Sequence, residues 1–266
     1  MLTTDTPDGA PTWVEFASPD IGASLAFYRE LFGWDFQSAG PEAGGYGFLM
    51  LDGKMIGGAG PLQGDDARPG WTIYFRTADV DATVKAAEQS GGTVLQAPMD
   101  VMSFGRSAVL GDPAGAAFAL WQVFDPAMAG MQVVNDPGSL CWVESYTTDA
   151  GAAVAFYRQV LGWETEEMPT PVGPYVVARP AGGAEDSGFG GLMALPEENR
   201  AAGSVSEWHP YFEVADCDAT AATAAGLGAT TLVPPTDMED VGRFAMFADP
   251  HGGAFAVIKS VPPAPQ

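Results

Sequence analysis

Basic residues, histidine and cysteine are scarce in this chain of 266 residues. It has 11 lysines and arginines against 34 aspartates and glutamates, a formal net charge of −23. A chain this acidic repels phosphate backbones, so we expect no nucleic-acid partner. No apolar run approaches the roughly 20 residues that span a bilayer, so we expect no membrane partner. The polar first residues contain no signal-peptide pattern, which predicts a cytoplasmic protein.

The two cysteines and two histidines limit the chemistry that the chain can support. Cys141 lies in a predicted strand and Cys217 at a predicted helix start, so we predict buried free thiols. His209 lies in a predicted strand and His251 in a predicted turn. Imidazole is the commonest nitrogen ligand for metals in proteins, so any metal centre has few ligands to draw on.

The sequence contains one domain written twice. The block with Trp13, Glu15 and the Ala-Phe-Tyr-Arg motif returns at a constant offset, with Trp142 and Glu144 in the equivalent places. A second block, from Tyr74 to an Asp-Pro turn, returns at a larger offset, so the second copy carries a short insertion. We place the insertion between residues 166 and 206, where the composition predicts a longer surface loop at 167–205. A fixed repeat indicates duplicated structural units.

The repeat and the local composition predict the domain organisation. We expect a flexible tail at 1–11, a first domain at 12–124, a linker at 125–138, a second domain at 139–260 and a tail at 261–266. Helical spacing after the capping residue Asp20 predicts a helix that ends at Gly33. Asp79 caps a second helix, and Asp52-Gly53 predicts a tight hairpin. Each domain therefore consists of two βαβββ units, which is an α+β fold.

This pattern resembles the vicinal oxygen chelate superfamily, which includes glyoxalases, bleomycin-type resistance proteins and extradiol dioxygenases. The resemblance rests on the helix that carries Phe-Tyr-Arg and ends in Gly-Trp, followed by Gly-Arg and an Asp-Pro-x-Gly turn, twice in one chain. It implies that paired βαβββ units curl their strands into a cup. It also implies a divalent metal in that cup, held by His or Gln from first strands and Glu from last strands.

Most of the ligand positions implied by the resemblance hold residues that cannot bind a metal. Of the eight positions, only His209 offers a plausible ligand; the others fall on Trp13, Thr72, Trp142, Ala119, Ala256, Gly57-Gly58 and Gly190-Gly191. We therefore expect no metal in the first domain and no cofactor overall. The alternative is a divalent metal in the second domain, bound by His209 with Glu144.

Alternation along strands predicts which side chains line the cups. Residues two apart share a face, which groups aromatic residues with one Glu in each cup. The predicted ligand-binding residues are Trp13, Glu15, Tyr74, Trp121, Trp142, Glu144 and Tyr211. Three alternatives stay open at this stage: the tryptophans fill the core, the two glutamates form salt bridges with Arg106 or Arg243, and His209 is a structural residue.

Two functions of different classes follow from these residues. The first is binding of a small apolar molecule, with or without a positive charge, in a cup lined by aromatic residues and Glu, as in the drug-sequestering branch of the family. The second is a lyase, isomerase or oxygenase in which Glu144 and His209 are the catalytic residues of the second domain. The expected partner is a small molecule, and we expect a monomer or a homodimer.

Overall fold

The computed structural model describes residues 1–64, 68–170 and 173–261. Most of the tail predicted at 261–266 lies outside them. The first copy contains, in chain order, β1 (Pro11–Ser18), α1 (Ile21–Phe32), β2 (Asp35–Ser38), β3 (Gly47–Leu51), β4 (Lys54–Pro61), β5 (Gly70–Arg76), α2 (Val80–Gln89), β6 (Thr93–Val101), β7 (Gly105–Gly111) and β8 (Ala117–Val123).

The second copy repeats this order with one additional short helix. Its elements are β9 (Leu140–Thr147), α3 (Ala150–Leu161), β10 (Glu164–Thr170), β11 (Gly173–Arg179), β12 (Gly190–Ala194), α4 (Glu197–Ala201), β13 (Glu207–Glu213), α5 (Cys217–Gly226), β14 (Thr230–Met238), β15 (Gly242–Ala248) and β16 (Ala254–Ser260). The prediction of a surface loop at 167–205 is wrong, because this stretch contains strands β11 and β12 and helix α4.

Each copy builds one mixed sheet of eight strands, which confirms the predicted α+β fold. The strand orders are β2-β3-β4-β1-β5-β8-β7-β6 and β10-β11-β12-β9-β13-β16-β15-β14. The first and last strands of each βαβββ unit pair in parallel, as in β1 with β4 and β5 with β8. Neighbouring strands within a unit, such as β10 with β11, are antiparallel. No described helix is long and apolar enough to cross a membrane.

Short polar residues begin the four long helices where the sequence predicts them. The side chains of Asp20, Asp79, Asp149 and Asp216 each accept a hydrogen bond from the backbone amide three residues later. This satisfies an amide that the first helical turn leaves without a partner. Asp52 and Gly53 both have positive φ, of 50° and 76°, as a two-residue hairpin turn requires.

The chain packs into two compact units that do not coincide with the two copies. Unit 1 comprises Met1–Val14, Thr72–Gly130 and Trp142–His209. Unit 2 comprises Glu15–Trp71, Met131–Cys141 and Pro210–Gln266. Each unit therefore combines one βαβββ half of the first copy with one half of the second. The domain boundaries taken from the repeat stay a prediction.

A chain of buried hydrogen bonds runs through the core of unit 1. The indole of Trp208 donates to the hydroxyl of Tyr157 over 2.8 Å, and that hydroxyl donates to Asp112 over 3.2 Å. Tyr157 belongs to the Phe-Tyr-Arg motif of the second copy, whereas Asp112 begins the Asp-Pro turn of the first. The other carboxylate oxygen of Asp112 accepts from the amides of Ala114 and Ala116. The two motifs that repeat most clearly are therefore partners across copies.

Unit 2 contains the same arrangement with the copies exchanged. The indole of Trp71 donates to the hydroxyl of Tyr28 over 3.1 Å, and Tyr28 donates to Asp249 over 2.9 Å. Burial raises the pKa of both Tyr28 and Tyr157 well above 10, and the charge of the aspartate raises each further. Both phenols therefore stay protonated and continue to donate at neutral pH.

The first eleven residues pack against the rest of unit 1, in contrast to the flexible tail predicted there. Leu2 and Ala10 are buried. The amide of Gly9 donates to the carbonyl of Arg76, and its carbonyl accepts from the indole of Trp163 over 2.6 Å. The polar composition of this segment gave no indication of these contacts, which come from the fold.

Both cysteines are free thiols, as predicted, but the predicted burial is confirmed for Cys217 and is wrong for Cys141. Cys217 is buried at the start of α5, and Cys141 is partly exposed on β9, where its thiol donates to the carbonyl of Tyr211. Burial raises the pKa of the Cys141 thiol well above its usual value. The thiol is therefore protonated at neutral pH and a poor nucleophile.

The substitution Tyr157→Phe tests the buried hydrogen bonds of unit 1. It removes the acceptor of Trp208 and the donor to Asp112, and leaves both groups buried without that partner. We expect the free energy of unfolding to fall by about 1–3 kcal/mol, measured by denaturant titration. Tyr28→Phe in unit 2 should cost a similar amount. Unchanged stability in both variants would contradict the importance of these bonds.

The raised pKa values of Tyr28 and Tyr157 predict how stability depends on alkaline pH. The unfolded phenols ionise near pH 10, whereas the folded ones resist ionisation. Their stabilising contribution is therefore complete below about pH 10 and is lost as the pH rises towards the folded pKa values. In an alkaline titration, at least these two of the seven tyrosines should give a phenolate absorbance only together with loss of circular dichroism. Their ionisation in the folded protein would contradict this expectation.

Candidate functional site

One face of β9 presents Trp142 and Glu144, two of the residues that the sequence singles out in the second copy, together with Tyr146. Trp142, Glu144 and Tyr146 alternate with buried or inward residues along the strand, so they share a face. Trp142 and Tyr146 are partly exposed, whereas only 6% of Glu144 is accessible. A buried carboxylate of this kind requires a partner, because its charge is costly to remove from water.

Tyr175 of β11 provides that partner. Its phenol donates a hydrogen bond to Glu144 and accepts one from the indole of Trp142 over 2.9 Å. Burial, followed by the charge of Glu144, raises the pKa of Tyr175 well above 10. The phenol therefore stays protonated, and Trp142, Tyr175 and Glu144 form one hydrogen-bonded group.

The ring of Tyr175 lies over a glycine at one of the implied metal-ligand positions. Gly191 on β12 is the register partner of Glu144. A Cβ atom at Gly191 would lie 2.0 Å from the Tyr175 hydroxyl oxygen and 2.1 Å from its ring carbon Cζ. A side chain such as Glu therefore cannot occupy this position while Tyr175 is in place. The tyrosine fills the space that the side chain of a ligand would need.

His209 on β13 lies beside Tyr146 on the same face. The two rings pack edge to face, with centroids 5.4 Å apart. The Nε2 atom of His209 lies 3.5 Å from a carboxylate oxygen of Glu207. Its other ring nitrogen, Nδ1, is buried and has no hydrogen-bond partner among the described residues. This is one of two such side-chain atoms, the other being Oγ of Ser145 on the opposite face of β9.

Glu144 and His209, which the sequence pairs as catalytic residues or metal ligands, are found with different neighbours. The carboxylate of Glu144 is held by Tyr175. The imidazole of His209 is placed against Tyr146 and Glu207. Their assignment as an acid–base pair stays a prediction.

The remaining predicted residue of the second copy, Tyr211, lies in unit 2. It is buried, and its hydroxyl lies 3.8 Å from the sulfur of Met246. It pairs in register with Ala256, at another implied ligand position. Burial of this side chain leaves it little surface with which to contact a ligand.

The first copy shows a related arrangement on β1 and β4. Trp13 and Glu15 are partly exposed, and Glu15 is the register partner of Gly58. A Cβ atom at Gly58 would lie 2.0 Å from the hydroxyl oxygen of Tyr46. A tyrosine therefore covers the glycine at the implied ligand position in both copies.

Tyr74 and Trp121 complete the predicted set in the first copy. Tyr74 is partly exposed and pairs in register with Ala119. The indole of Trp121 donates to the carbonyl of Met128 over 3.0 Å, and its ring lies over Gly105. Trp121 therefore has a structural role in holding the segment that follows β8.

The arginines proposed as partners of Glu15 and Glu144 bind other carboxylates. Arg106 contacts Asp81 at 2.8 Å and Asp100 at 2.6 Å. Arg243 makes the equivalent pairs with Asp218 at 2.7 Å and Asp237 at 3.0 Å. The salt-bridge alternative is therefore wrong for these two arginines, and they act as surface clamps between a helix and a hairpin.

Tyr46, Tyr146 and Tyr175 were not predicted as site residues from the sequence. Tyr46 and Tyr175 are separated by the same interval as Trp13 and Trp142, so the repeat contained the signal for these two. The implied ligand positions themselves hold glycine, which gives no indication of what covers it. The tyrosine that fills the space comes from the neighbouring strand or the segment before it. Only the pairing of the strands shows that it lies over the glycine.

The donor chemistry of the second cup does not fit a divalent metal centre. A catalytic centre needs about three protein ligands that converge on one point and leave a position open. Among the described residues, no group of three His, Cys, Asp or Glu side chains could hold a metal ion. Glu144 already accepts from Tyr175, and the position at Gly191 is covered. The absence of a cofactor stays a prediction, which metal analysis of the purified protein would test.

Family models match both copies of the chain. The description "Glyoxalase/Bleomycin resistance protein/Dioxygenase superfamily" matches residues 11–120, and "Glyoxalase-like domain" matches residues 142–258. "Anthracycline biosynthesis protein DnrV" of Streptomyces peucetius is 39% identical, over 94% of this chain and 93% of its own. "Putative glyoxylase CFP32" of Mycobacterium tuberculosis is 36% identical, over 97% and 96% respectively.

Solved structures share the fold at low sequence identity. The Mn(II)-bound glyoxalase from Novosphingobium aromaticivorans has a TM-score of 0.65 at 15% identity, covering 95% of this chain and 82% of its own. The 2,2',3-trihydroxybiphenyl 1,2-dioxygenase from Sphingomonas wittichii has a TM-score of 0.65 at 16% identity, covering 96% and 91%. With the relatives at 36% and 39% identity along nearly the whole chain, these matches show that the protein is a tandem two-domain member of the vicinal oxygen chelate superfamily.

Proposed function

We propose that this protein binds a small, planar and largely apolar aromatic molecule, without a metal ion. The proposed site, called here the second cup, is formed in unit 1 by Trp142, Glu144, Tyr146, Tyr175 and His209. The observation that carries the proposal is Tyr175, which covers Gly191 and bonds to Trp142 and Glu144. The cup therefore presents aromatic surface where a metal enzyme of this family would present ligands.

The partly exposed rings support an aromatic ligand. Trp142, Tyr146 and Tyr175 each retain some accessible surface. Removing such apolar surface from water is favourable, and a well-placed aromatic pair adds about 0.5–1.5 kcal/mol. The hydrogen bond from Trp142 to Tyr175 fixes the relative position of two rings before a ligand arrives, which reduces the entropy lost on binding.

Charge favours a cationic ligand over an anionic one. Glu144 supplies a carboxylate beside the indole of Trp142, and an indole face attracts cations. The net charge of −23 also lowers the encounter rate of anions and raises that of cations. A planar cation should therefore bind more tightly than a planar anion of similar size.

The names of two relatives agree with this ligand class. They are called anthracycline biosynthesis proteins, and an anthracycline contains a fused, largely planar ring system. The agreement concerns the kind of molecule that these names mention.

A vicinal oxygen chelate type of enzyme is the second candidate. The buried, unpartnered Nδ1 atom of His209 favours it, because an imidazole nitrogen in a cup can accept a proton from a substrate. Such an enzyme would be a lyase, an isomerase or an oxygenase with its chemistry at Glu144 and His209.

Titration with two matched dyes tests the binding function. We expect the cation 9-aminoacridine to quench tryptophan fluorescence saturably, and the anion anthraquinone-2-sulfonate to bind at least about tenfold more weakly. Trp142→Leu should raise the Kd for 9-aminoacridine by about tenfold. The matched substitution Trp13→Leu in the first copy should leave this Kd unchanged. Glu144→Gln should reduce the preference for the cation, with Glu15→Gln as its control.

Metal analysis of the same samples separates the two candidates. We expect dye binding to persist after exhaustive treatment with a chelator. Saturable binding of neither dye would overturn the proposed function. A stoichiometric divalent metal that is lost in His209→Ala, together with chelator-sensitive binding, would support the enzyme in its place.

The substitution Gly191→Ala tests the observation on which the proposal depends. The new methyl group cannot coexist with Tyr175 in its place, so the ring must move away from Trp142 and Glu144. We expect a loss of about 1–3 kcal/mol in the free energy of unfolding and an altered affinity for 9-aminoacridine. Gly226→Ala at the end of α5 meets no atom within 4 Å and is the matched control. Equal stability of both variants would contradict the proposed packing.

A further inference from the structure

The second cup contains a polar atom whose partner is missing from the described residues. The Nδ1 atom of His209 is buried, and the residue as a whole is 9% exposed. A buried polar atom without a hydrogen bond costs about 1–3 kcal/mol. Native structures contain few such atoms, and each calls for a structural or functional explanation.

We propose that His209 Nδ1 accepts a hydrogen bond from a hydroxyl group on the aromatic ligand, so that the ligand class is a hydroxylated, phenol-type aromatic. This inference rests on the proposed function, because it assigns the polar anchor of the same cup. It adds a requirement for a hydroxyl group on the ligand, which the aromatic residues of the cup do not impose by themselves.

The neighbour of the other ring nitrogen determines which kind of group Nδ1 can bind. Nε2 lies 3.5 Å from the carboxylate of Glu207. A carboxylate accepts hydrogen bonds, so it favours the tautomer that carries the proton on Nε2. In that tautomer Nδ1 has a lone pair and requires a donor. A phenolic hydroxyl supplies one, whereas an ether or a ring carbonyl does not.

The position of His209 places this acceptor beside the aromatic surface. Its ring packs edge to face with Tyr146, which shares the face of Trp142 and Glu144 on β9. Tyr146 is partly exposed, and the proposal requires its ring to move aside so that a ligand reaches the imidazole. A ring system seated against Trp142 could then direct a hydroxyl group at Nδ1.

The equivalent position in the first copy makes the inference specific to the second. Thr72 stands there, and it is partly exposed. A threonine hydroxyl is shorter than imidazole, and it donates as well as accepts, so it does not select for a donor. Selection for a hydroxyl group is therefore expected from the second cup alone.

Two probes that differ in one methyl group test the inference. We expect 1-naphthol to bind the full chain at least about tenfold more tightly than 1-methoxynaphthalene, measured by tryptophan fluorescence or calorimetry. His209→Phe keeps an aromatic ring beside Tyr146. It should abolish this difference in affinity and leave the affinity for 1-methoxynaphthalene unchanged. Thr72→Val is the matched control in the first copy and should leave the difference unchanged.

The outcomes separate this inference from the proposed function. Binding of neither probe, nor of the two dyes, would overturn both. Equal affinity for the two probes would overturn the role of His209 and leave aromatic binding in place. A difference that persists in His209→Phe would also overturn that role.

Nitrogen-15 spectra provide a second test, in which His209 itself is unaltered. The chain has two histidines, and His251→Asn identifies the signals of His209. We expect Nδ1 to be unprotonated in the free protein, and its resonance to shift on addition of 1-naphthol but not of 1-methoxynaphthalene. A protonated Nδ1, or no selective shift, would contradict the proposal.

Discussion

The fold depends on one interaction that occurs twice, a buried hydrogen bond from a tyrosine to the aspartate of an Asp-Pro turn. Tyr157 and Asp112 make it in unit 1, and Tyr28 and Asp249 make it in unit 2. In each pair the tyrosine comes from one copy of the sequence and the aspartate from the other. Because the partner lies in the other copy, neither copy alone contains the aspartate to which its own buried tyrosine donates. Each bond therefore ties one copy to the other within a unit.

This constraint explains which features the two copies retain in common. The Phe-Tyr-Arg helix and the Asp-Pro turn must both be present in both copies, since each completes the core of a different unit. The residues of the cup face have no such requirement. The two copies differ at Thr72 and His209, and at Trp121 and Ile258. They share a glutamate at positions 15 and 144, and a tyrosine that covers a glycine on the neighbouring strand. The glycine and tyrosine pair that both copies share accordingly reflects packing.

Much of the fold could be predicted from the sequence, because its signals are local. Asp20 and Asp79 are helix caps, and Asp52-Gly53 is a tight hairpin turn, since each depends on a few neighbouring residues. The repeat predicted two equivalent sheets. It could not show that the halves of the two copies combine into units, because that depends on long-range contacts such as the one between Tyr28 and Asp249. The packed segment 1–11 was missed for the same reason.

The candidate site was only partly predictable, and the reason is geometric. Alternation along β9 placed Trp142 and Glu144 on one face, as the structure has them. Glycine at position 191 shows that this position has no metal-binding side chain. It does not indicate which residue fills the space that such a side chain would need. The answer depends on the register of β11 against β12, which brings Tyr175 over that glycine.

The glycine at an implied ligand position also bears on what His209 can do. In a centre with several ligands, an imidazole nitrogen would be occupied by the metal. Here Tyr175 fills the space at Gly191 and donates to Glu144, and the buried Nδ1 atom of His209 has no hydrogen-bond partner among the described residues. Under the proposal, an acceptor in that setting would distinguish ligands by a single hydroxyl group, because leaving it unpaired in the complex has a high free-energy cost. The proposed function therefore assigns selectivity for hydroxyl-bearing molecules to a hydrogen-bond acceptor in place of a metal ion.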